Sequence, residues 1–301
     1  MNNLLPGISV VIPSFVADAA EMTGDIAATN LGSALSSLAE QSLRKDLIEV
    51  LIILNGKGAA AASGEAMQIA LHDSLASRFP ELSIRVMRSL APGAGRARNL
   101  GISSASRRFI TFLDDDDTLQ PRYLETGLEN ADDGAITLLP IVNTTDGAST
   151  KDNFLNARIT TLHGTAVPVA TAPWALGFNA SKIIPTALAQ RYRYDESLRS
   201  GEDVAYFANF LRTPGLLLHT PKAGEETAYV RSIRPDSVSR QRESFDFNVV
   251  QRLECIAKLR DIEEADTKPR ALEKLEQAQF GFVENYLTAH PSECNAQLTP
   301  P

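Results

Sequence analysis

Three short apolar runs, each ending abruptly in turn-forming or charged residues, limit what the first part of this chain can fold into. Ile8-Ser9-Val10-Val11-Ile12 stops at Pro13-Ser14, and Glu49-Val50-Leu51-Ile52-Ile53-Leu54 stops at Asn55-Gly56. Arg108 to Leu113 stops at four consecutive aspartates, Asp114 to Asp117. Runs of this length and β-branched content, bounded by turn signals, read as buried strands. Ser83 to Met87 reads as a further strand. Helical patterns lie between them. Asn30-Leu31-Gly32 opens one, with Leu31, Leu35 and Leu38 on one face and Asn30 as its expected cap. Ala59 to Phe79, alanine-rich and carrying Met67, Ile69, Leu71 and Leu75, predicts a single helix. Gly93-Ala94-Gly95 predicts a loop, with a helix starting over Arg96 to Ser104. Val16 to Thr29, with Asp18, Glu21 and Asp25, predicts a polar loop. Strands alternating with helices predict an α/β fold with a mostly parallel central sheet and helices on both faces. Ligands bind at the carboxyl ends of the strands in such sheets. Pro13-Ser14, Asn55-Gly56 and the aspartates all fall there.

The second half is patterned differently. Asp132 to Val230 has shorter apolar runs and more turn residues, which suits a mixed sheet with long loops. Phe247, Val250, Leu253, Ile256, Leu259 and Ile262 recur every three residues, and Leu272, Leu275, Phe282, Val283 and Tyr286 follow Pro269. This predicts a helical hairpin over residues 241–290, packed on the main domain or forming a homodimer, with a flexible tail over 291–301. A net charge of -8 argues against nucleic acid as a partner but not against a phosphorylated ligand, because a cation can supply the positive charge locally. Cys255 and Cys294 are far apart and lack CxxC spacing, which argues against a disulfide framework or structural zinc and fits reduced thiols in the cytoplasm. The Ile8–Ile12 run is too short to span a bilayer, leaving peripheral membrane contact as the open alternative.

Asp114 to Asp117 carry the strongest chemical signal. In an extended segment Asp114 and Asp116 would share one side and offer a hard oxygen site for Mg²⁺ or Mn²⁺, completed by a diphosphate. The alternative is a solvated acidic turn. Gly95-Arg96-Ala97-Arg98-Asn99-Leu100-Gly101 could meet phosphate oxygens near a helix start, or could hold surface arginines bonded to acidic neighbours. In Ser200-Gly201-Glu202-Asp203 a glycine turn could present a carboxylate as general base. It could equally be a helix start, with Ser200 as cap and both acids complementing the dipole. Trp174, the single tryptophan, could stack on a sugar or serve the core. His163 and His219 lack spaced partners and read as structural.

The order of these pieces resembles the inverting family 2 glycosyltransferases of the GT-A (Rossmann-like) fold. The matching elements are Val10-Val11-Ile12-Pro13-Ser14-Phe15, Asn30-Leu31 with Leu35, Leu38 and Gln41, Leu54-Asn55-Gly56, the Gly95–Gly101 segment, Phe112-Leu113-Asp114-Asp115-Asp116-Asp117, and Ser200-Gly201-Glu202-Asp203. The resemblance implies a transferase domain over residues 1–240, with a donor half about 7–120 and an acceptor half about 121–240. It implies a nucleotide-sugar donor and a glycan, lipid-linked or other hydroxyl acceptor. The donor would be bound by Pro13, Ser14, Asn55, Arg98, Asp114, Asp115 and Arg234, and Mn²⁺ or Mg²⁺ by Asp116 and Asp114. Asp203 would be the general base, Glu202 would shape the acceptor pocket, and Trp174 would face the acceptor. Arg231 and Arg234 resemble a segment that closes over the diphosphate. Leu54-Asn55 stands where the family usually carries one or two aspartates, one of which contacts the nucleobase, so the resemblance leaves the base of the donor open. Two alternatives keep much of the pattern: a sugar nucleotidyltransferase and a catalytically silent nucleotide-sugar binding module.

Overall fold

The computed structural model describes residues 4–17, 30–61, 64–145, 148–150, 153–222, 224–233, 244–262 and 270–293. Most of the predicted polar loop before Asn30, Arg234, Cys294 and the predicted tail from Cys294 onward lie outside them. The strands are β1 (Leu5–Phe15), β2 (Ile48–Asn55), β3 (Ser83–Arg88), β4 (Arg107–Phe112), β5 (Thr118–Leu119), β6 (Ala135–Leu138), β7 (Ile141–Thr145), β8 (Ala148–Thr150), β9 (Thr165–Pro168), β10 (Lys182–Pro185), β11 (Leu217–Thr220) and β12 (Tyr229–Ser232). The α-helices are α1 (Asn30–Ala39), α2 (Lys57–Ala60), α3 (Gly64–Arg78), α4 (Ala94–Ser104), α5 (Tyr123–Glu129), α6 (Phe154–Thr160), α7 (Thr186–Ala189), α8 (Glu202–Ala208), α9 (Gln251–Arg260) and α10 (Arg270–Ala289).

Contacts divide the chain into two units. One is Met1–Val167 with Asn179–Arg193 and Leu217–Ile233, and the other is Pro168–Phe178 with Tyr194–Leu216 and Arg234–Pro301. The first unit is built on a mostly parallel sheet in the order β3-β2-β1-β4-β10-β6-β11-β9. β2 is buried along its whole length, and Ile8, Val10, Val11 and Ile12 of β1 have no exposed surface. Parallel strands covered on both faces have no solvent side to alternate toward, hence their continuous apolar runs. β1 pairs in parallel with β2 on one side and β4 on the other. The chain thus reverses its direction of travel across the sheet at β1, the kind of switch point outside whose strand carboxyl ends ligands bind in open α/β sheets. A smaller sheet, β5-β12-β7-β8, follows the aspartates.

Two expectations about helices are corrected. Ala59 to Phe79 is not one helix: α2 ends at Ala60 and α3 begins at Gly64. Ala61 leaves the helical conformation, its backbone extended at φ −64° and ψ 160°. α4 starts at Ala94, immediately after Gly93, so Arg96 lies within its first turn. Asn30 is the first helical residue of α1.

Packing of α4 on the sheet depends on a missing side chain. A Cβ on Gly101 would lie 2.4 Å from Val11 Cγ1. Close approach here sets how deeply α4, with Arg98, seats against β1. At the amino ends of the strands the buried Glu49 accepts from Ser9 Oγ (2.6 Å), Ser106 N (2.9 Å), Ser106 Oγ (3.0 Å) and Arg85 (3.2 Å). Burial pushes this carboxyl upward, but the bonds from Ser9, Ser106 and Arg85 together outweigh burial and hold it below the ordinary range.

The second unit is helical. Tyr194 and Tyr206 stack at 4.0 Å, with Phe207 and Phe210 edge-on to Tyr206. A π-helical turn, Asp246–Val250, leads into α9. Val249, Val283 and Tyr286 form a small core with Phe245 and Leu287. The every-third-residue reading is corrected: Leu253 is 45% exposed, whereas Gln251, Cys255, Ile256 and Leu259 are buried. A helix turns every 3.6 residues, so a strict period of three drifts off the buried face. Among the described residues no helix is long and apolar enough to cross a membrane.

Replacing Gly101 by alanine tests the close approach. Helix propensity alone would stabilise by about 1 kcal/mol. The overlap with Val11 should win, for a net loss of about 1–3 kcal/mol in urea unfolding. A gain in stability would mean that α4 sits farther from the sheet. Glu49→Gln should cost about 1–3 kcal/mol at neutral pH. The Glu49 carboxylate stabilises fully above the unfolded pKa of about 4.3, and that stabilisation is lost as pH falls through the lower folded value. The gap between the two proteins, read from urea midpoints at pH 7 and pH 3, should therefore narrow in acid.

Candidate functional site

The carboxyl ends of β1, β2 and β4 bring the expected donor-side residues together. Asn55, at the end of β2, donates from Nδ2 to the Ser14 carbonyl at 3.0 Å. Ser14 Oγ in turn donates to Asp115 Oδ2 at 2.8 Å. Pro13 lies one residue back in β1, paired in register with Ile53. Arg98, buried on α4, contacts Asp114 Oδ1 at 3.2 Å. These contacts link segments up to 101 residues apart in sequence.

The aspartates do not continue the strand. Asp117 N–H donates to the Asp114 carbonyl at 3.0 Å, closing a turn with Asp115 and Asp116 at its centre. The predicted alternation of an extended segment is therefore corrected: four like charges in line repel, and the turn separates them into different surroundings. Asp114 faces Arg98 and its side chain is 40% exposed. Burial pushes the Asp115 carboxyl up to about 6, with Asp116 and Asp114 adding to the rise and Ser14 opposing it. Asp117 is buried. Its Oδ2 accepts from the Tyr229 hydroxyl at 2.7 Å and its Oδ1 from Ser232 N–H at 2.8 Å. Burial, then the charges of Asp114 and Asp116, raise its pKa.

Tyr229 was not visible in sequence as a site residue. Its hydroxyl donates to Asp117 and accepts the Asp114 N–H at 3.2 Å, so one oxygen holds both ends of the turn. The ring is fully buried and packs edge-on to Tyr123. The only signal was its place at the head of the apolar pair Tyr229-Val230. Gln41 also proves structural: it bonds the Gln120 carbonyl and the Leu124 N–H, fixing α1 against the segment after the turn. Arg231 bonds Asn143 Oδ1 at 3.2 Å.

The donor set fits a divalent cation. Carboxylate oxygens are hard ligands, and burial, with neighbouring negative charge adding to it, raises the pKa of Asp115 and Asp117. Asp114 and Asp116 are both partly exposed, whereas Asp117 is occupied by its two donors. Among the described residues no three or more His, Cys, Asp or Glu side chains form a ready-made metal cage. His219 Nδ1 lies 3.1 Å from the Asn130 carbonyl.

The remaining expected residues belong to the second unit. Glu202 and Asp203 open α8, and Gly201, in the left-handed region at φ 76°, is its N-cap. The expected Ser200 cap is corrected: Ser200 Oγ is buried without a hydrogen-bond partner, because the helix starts one residue too late for it to reach. Asp203 Oδ1 accepts from Val204 N–H at 2.8 Å. Trp174 lies in a 3₁₀ turn, Pro173–Leu176, half-buried and stacked with Phe178.

A sheet of this order, with an acidic turn at the switch point, defines a doubly wound α/β protein. Residues 9–164, more than half of the chain, match the model of glycosyl transferase family 2, and the chain belongs to that family. The succinoglycan biosynthesis protein ExoO of Rhizobium meliloti (strain 1021) is 29% identical over 235 residues, covering 73% of this chain and 63% of ExoO. The chain therefore spans less than two thirds of that relative. Mannosyltransferase PcManGT from Pyrobaculum calidifontis, in complex with GDP-Man and Mn²⁺, superposes with a TM-score of 0.59 at 14% identity, covering all of this chain and 78% of that one. TarS 1-349 of S. aureus in complex with UDP superposes at 0.57 with 18% identity, covering 94% of this chain and 71% of that one. Both likenesses show the GT-A fold.

Tyr229→Phe should leave the buried Asp117 without its hydroxyl donor. The expected loss is about 1–3 kcal/mol in denaturant unfolding, the cost of an unsatisfied buried acceptor. An unchanged midpoint would mean that Ser232 N–H alone satisfies the carboxylate.

Proposed function

We propose that the protein is an inverting glycosyltransferase that moves a sugar from a nucleoside-diphosphate donor to a hydroxyl acceptor. The observation that carries this reading is the aspartate turn at the carboxyl end of β4. Ser14, Arg98 and Tyr229 hold its carboxylates apart, within a chain of glycosyl transferase family 2. On this reading Pro13, Ser14, Asn55, Arg98, Asp114 and Asp115 bind the donor. Arg234, outside the described residues, joins them. Asp116 and Asp114 would hold Mn²⁺ or Mg²⁺, which when bound offsets charge on the leaving diphosphate. Arg98 adds fixed positive charge on the same side. Asp203 takes the proton from the acceptor hydroxyl as that oxygen attacks the anomeric carbon. A single displacement from the opposite face inverts the configuration. Glu202 shapes the acceptor pocket, and Trp174 offers an aromatic face to a pyranose. The name of the rhizobial relative, a succinoglycan biosynthesis protein, supports a glycan as the acceptor.

The test is ligand-dependent stability against a panel of nucleoside diphosphates and nucleotide sugars, with and without Mn²⁺. Ligand at about 100 times its Kd should add about 2.7 kcal/mol. Asp116→Ala should lose the metal-dependent part. Asp203→Asn should keep nucleotide binding and lower turnover by about 10²–10⁴-fold. A product of retained anomeric configuration by NMR would refute the single displacement. No shift with any nucleotide would refute the transferase reading altogether.

A further inference from the structure

The segment that ends in Glu202-Asp203 has little regular structure of its own. No helix or strand is assigned from Gln190 to Gly201, and α8 is a short helix. Its anchorage comes from α9 and the π-helical turn that leads into it. Lys258 pairs with Asp195 at 2.8 Å, and Arg199 pairs with Asp246 at 2.8 Å. Both pairs are substantially exposed, so they contribute little. Two buried contacts are of a different kind. Gln251 Oε1 accepts the Arg199 backbone N–H at 2.8 Å. Cys255, with no exposed surface, donates from Sγ to the Gly201 carbonyl at 3.3 Å.

That carbonyl has a second role. It accepts the Ala205 N–H at 3.0 Å, the first intrahelical bond of α8. The thiol therefore grips the peptide unit that starts the helix and aims its first turn. The fit is tight: a Cβ on Gly201 would come within 2.9 Å of Cys255 Sγ. Burial, with the charges of Asp203 and Glu202 adding to it and Arg252 opposing, pushes the thiol up to about 12. It therefore remains a protonated donor rather than a thiolate.

We propose that Cys255 is a positioning residue for the Glu202-Asp203 turn, and that α9 is through it a working part of the acceptor-side machinery. The thiol is the second donor on the Gly201 carbonyl, beside the Ala205 N–H, and a side chain at Gly201 would collide with it. Cys255 acts through the backbone and touches no reacting group. The inference rests on the reading of Asp203 as general base for its catalytic consequence, but not for its structural one.

The experiment compares Cys255→Val, Cys255→Ala and Cys255→Ser with Asp203→Asn in the full chain. Two readouts are taken: amide hydrogen exchange over residues 199–205, and hydrolysis of UDP-glucose, UDP-N-acetylglucosamine or GDP-mannose with water as acceptor. Cys255→Ala removes the donor without adding bulk, and Cys255→Val removes it while filling the space more fully, so that a cavity in the one cannot account for an effect shared by both. Exchange at Glu202 to Ala205 should rise about tenfold or more in either variant, with the thermal midpoint falling by no more than in Cys255→Ser. Turnover should fall about 10–100-fold at unchanged donor KM, with recovery to within about threefold in Cys255→Ser. Exchange unchanged from wild type would overturn the proposal whatever the hydrolysis shows. So would a uniform rise across α9 and α10, which marks general loosening. Raised local exchange with turnover kept in the Cys255 variants but lost in Asp203→Asn would overturn the catalytic half and leave the base reading standing. Turnover kept in Asp203→Asn would sink the base reading alone, and the exchange result would still decide the role of Cys255.

Discussion

Four adjacent carboxylates at the end of a buried strand are the constraint around which the first unit is arranged. Asp117 is the anchor. It is buried, and its two oxygens are taken by the Tyr229 hydroxyl and the Ser232 N–H, both from β12. The same hydroxyl receives the Asp114 N–H, so the turn is clamped at both ends. A buried carboxylate is tolerable only when donors meet it. β12 supplies those donors because it runs beside β5, the strand that leaves the turn. The small second sheet is thus what keeps the acidic turn in shape.

Once Asp117 is fixed, the other aspartates fall into different surroundings. Ser14 draws Asp115 toward the end of β1, and Arg98 draws Asp114 toward α4. Both partners are placed by packing rather than by chemistry. Ser14 follows from the register of β1 between β2 and β4. Arg98 follows from the approach of α4 that Gly101 permits. Burial first, and then the charge of the neighbouring aspartates, raises the pKa of Asp115 and Asp117.

The second unit solves a different problem. The chain from Gln190 to Gly201 that leads into Glu202 and Asp203 has no strand to brace it. Helix α9 supplies the brace through buried side chains on the face that also packs against α10. A stretch that in sequence resembled only a hairpin cover is joined to the turn that carries Asp203.

Much of this was legible in the residues. Apolar β-branched runs ending at Pro13, Asn55 and Asp114 fixed the parallel sheet and the edge where a ligand would bind, because a strand buried on both faces has no other composition open to it. The limits came where geometry depends on long-range contact. Asp114 to Asp117 reads as an extended acidic run but folds as a turn, since the partner that bends it, Tyr229, lies 115 residues away from Asp114. The helical hairpin was evident from its apolar residues, but its buried face was not, because Gln251 Oε1 and Cys255 Sγ are polar atoms whose partners, Arg199 and Gly201, lie about fifty residues away. The sequence by itself determined the class of fold, its order of elements and the chemistry available at the strand ends. Only the tertiary structure decided which aspartate is an anchor and what holds the turn before Asp203. Hydrogen bonds between distant segments leave no periodicity in the chain that makes them.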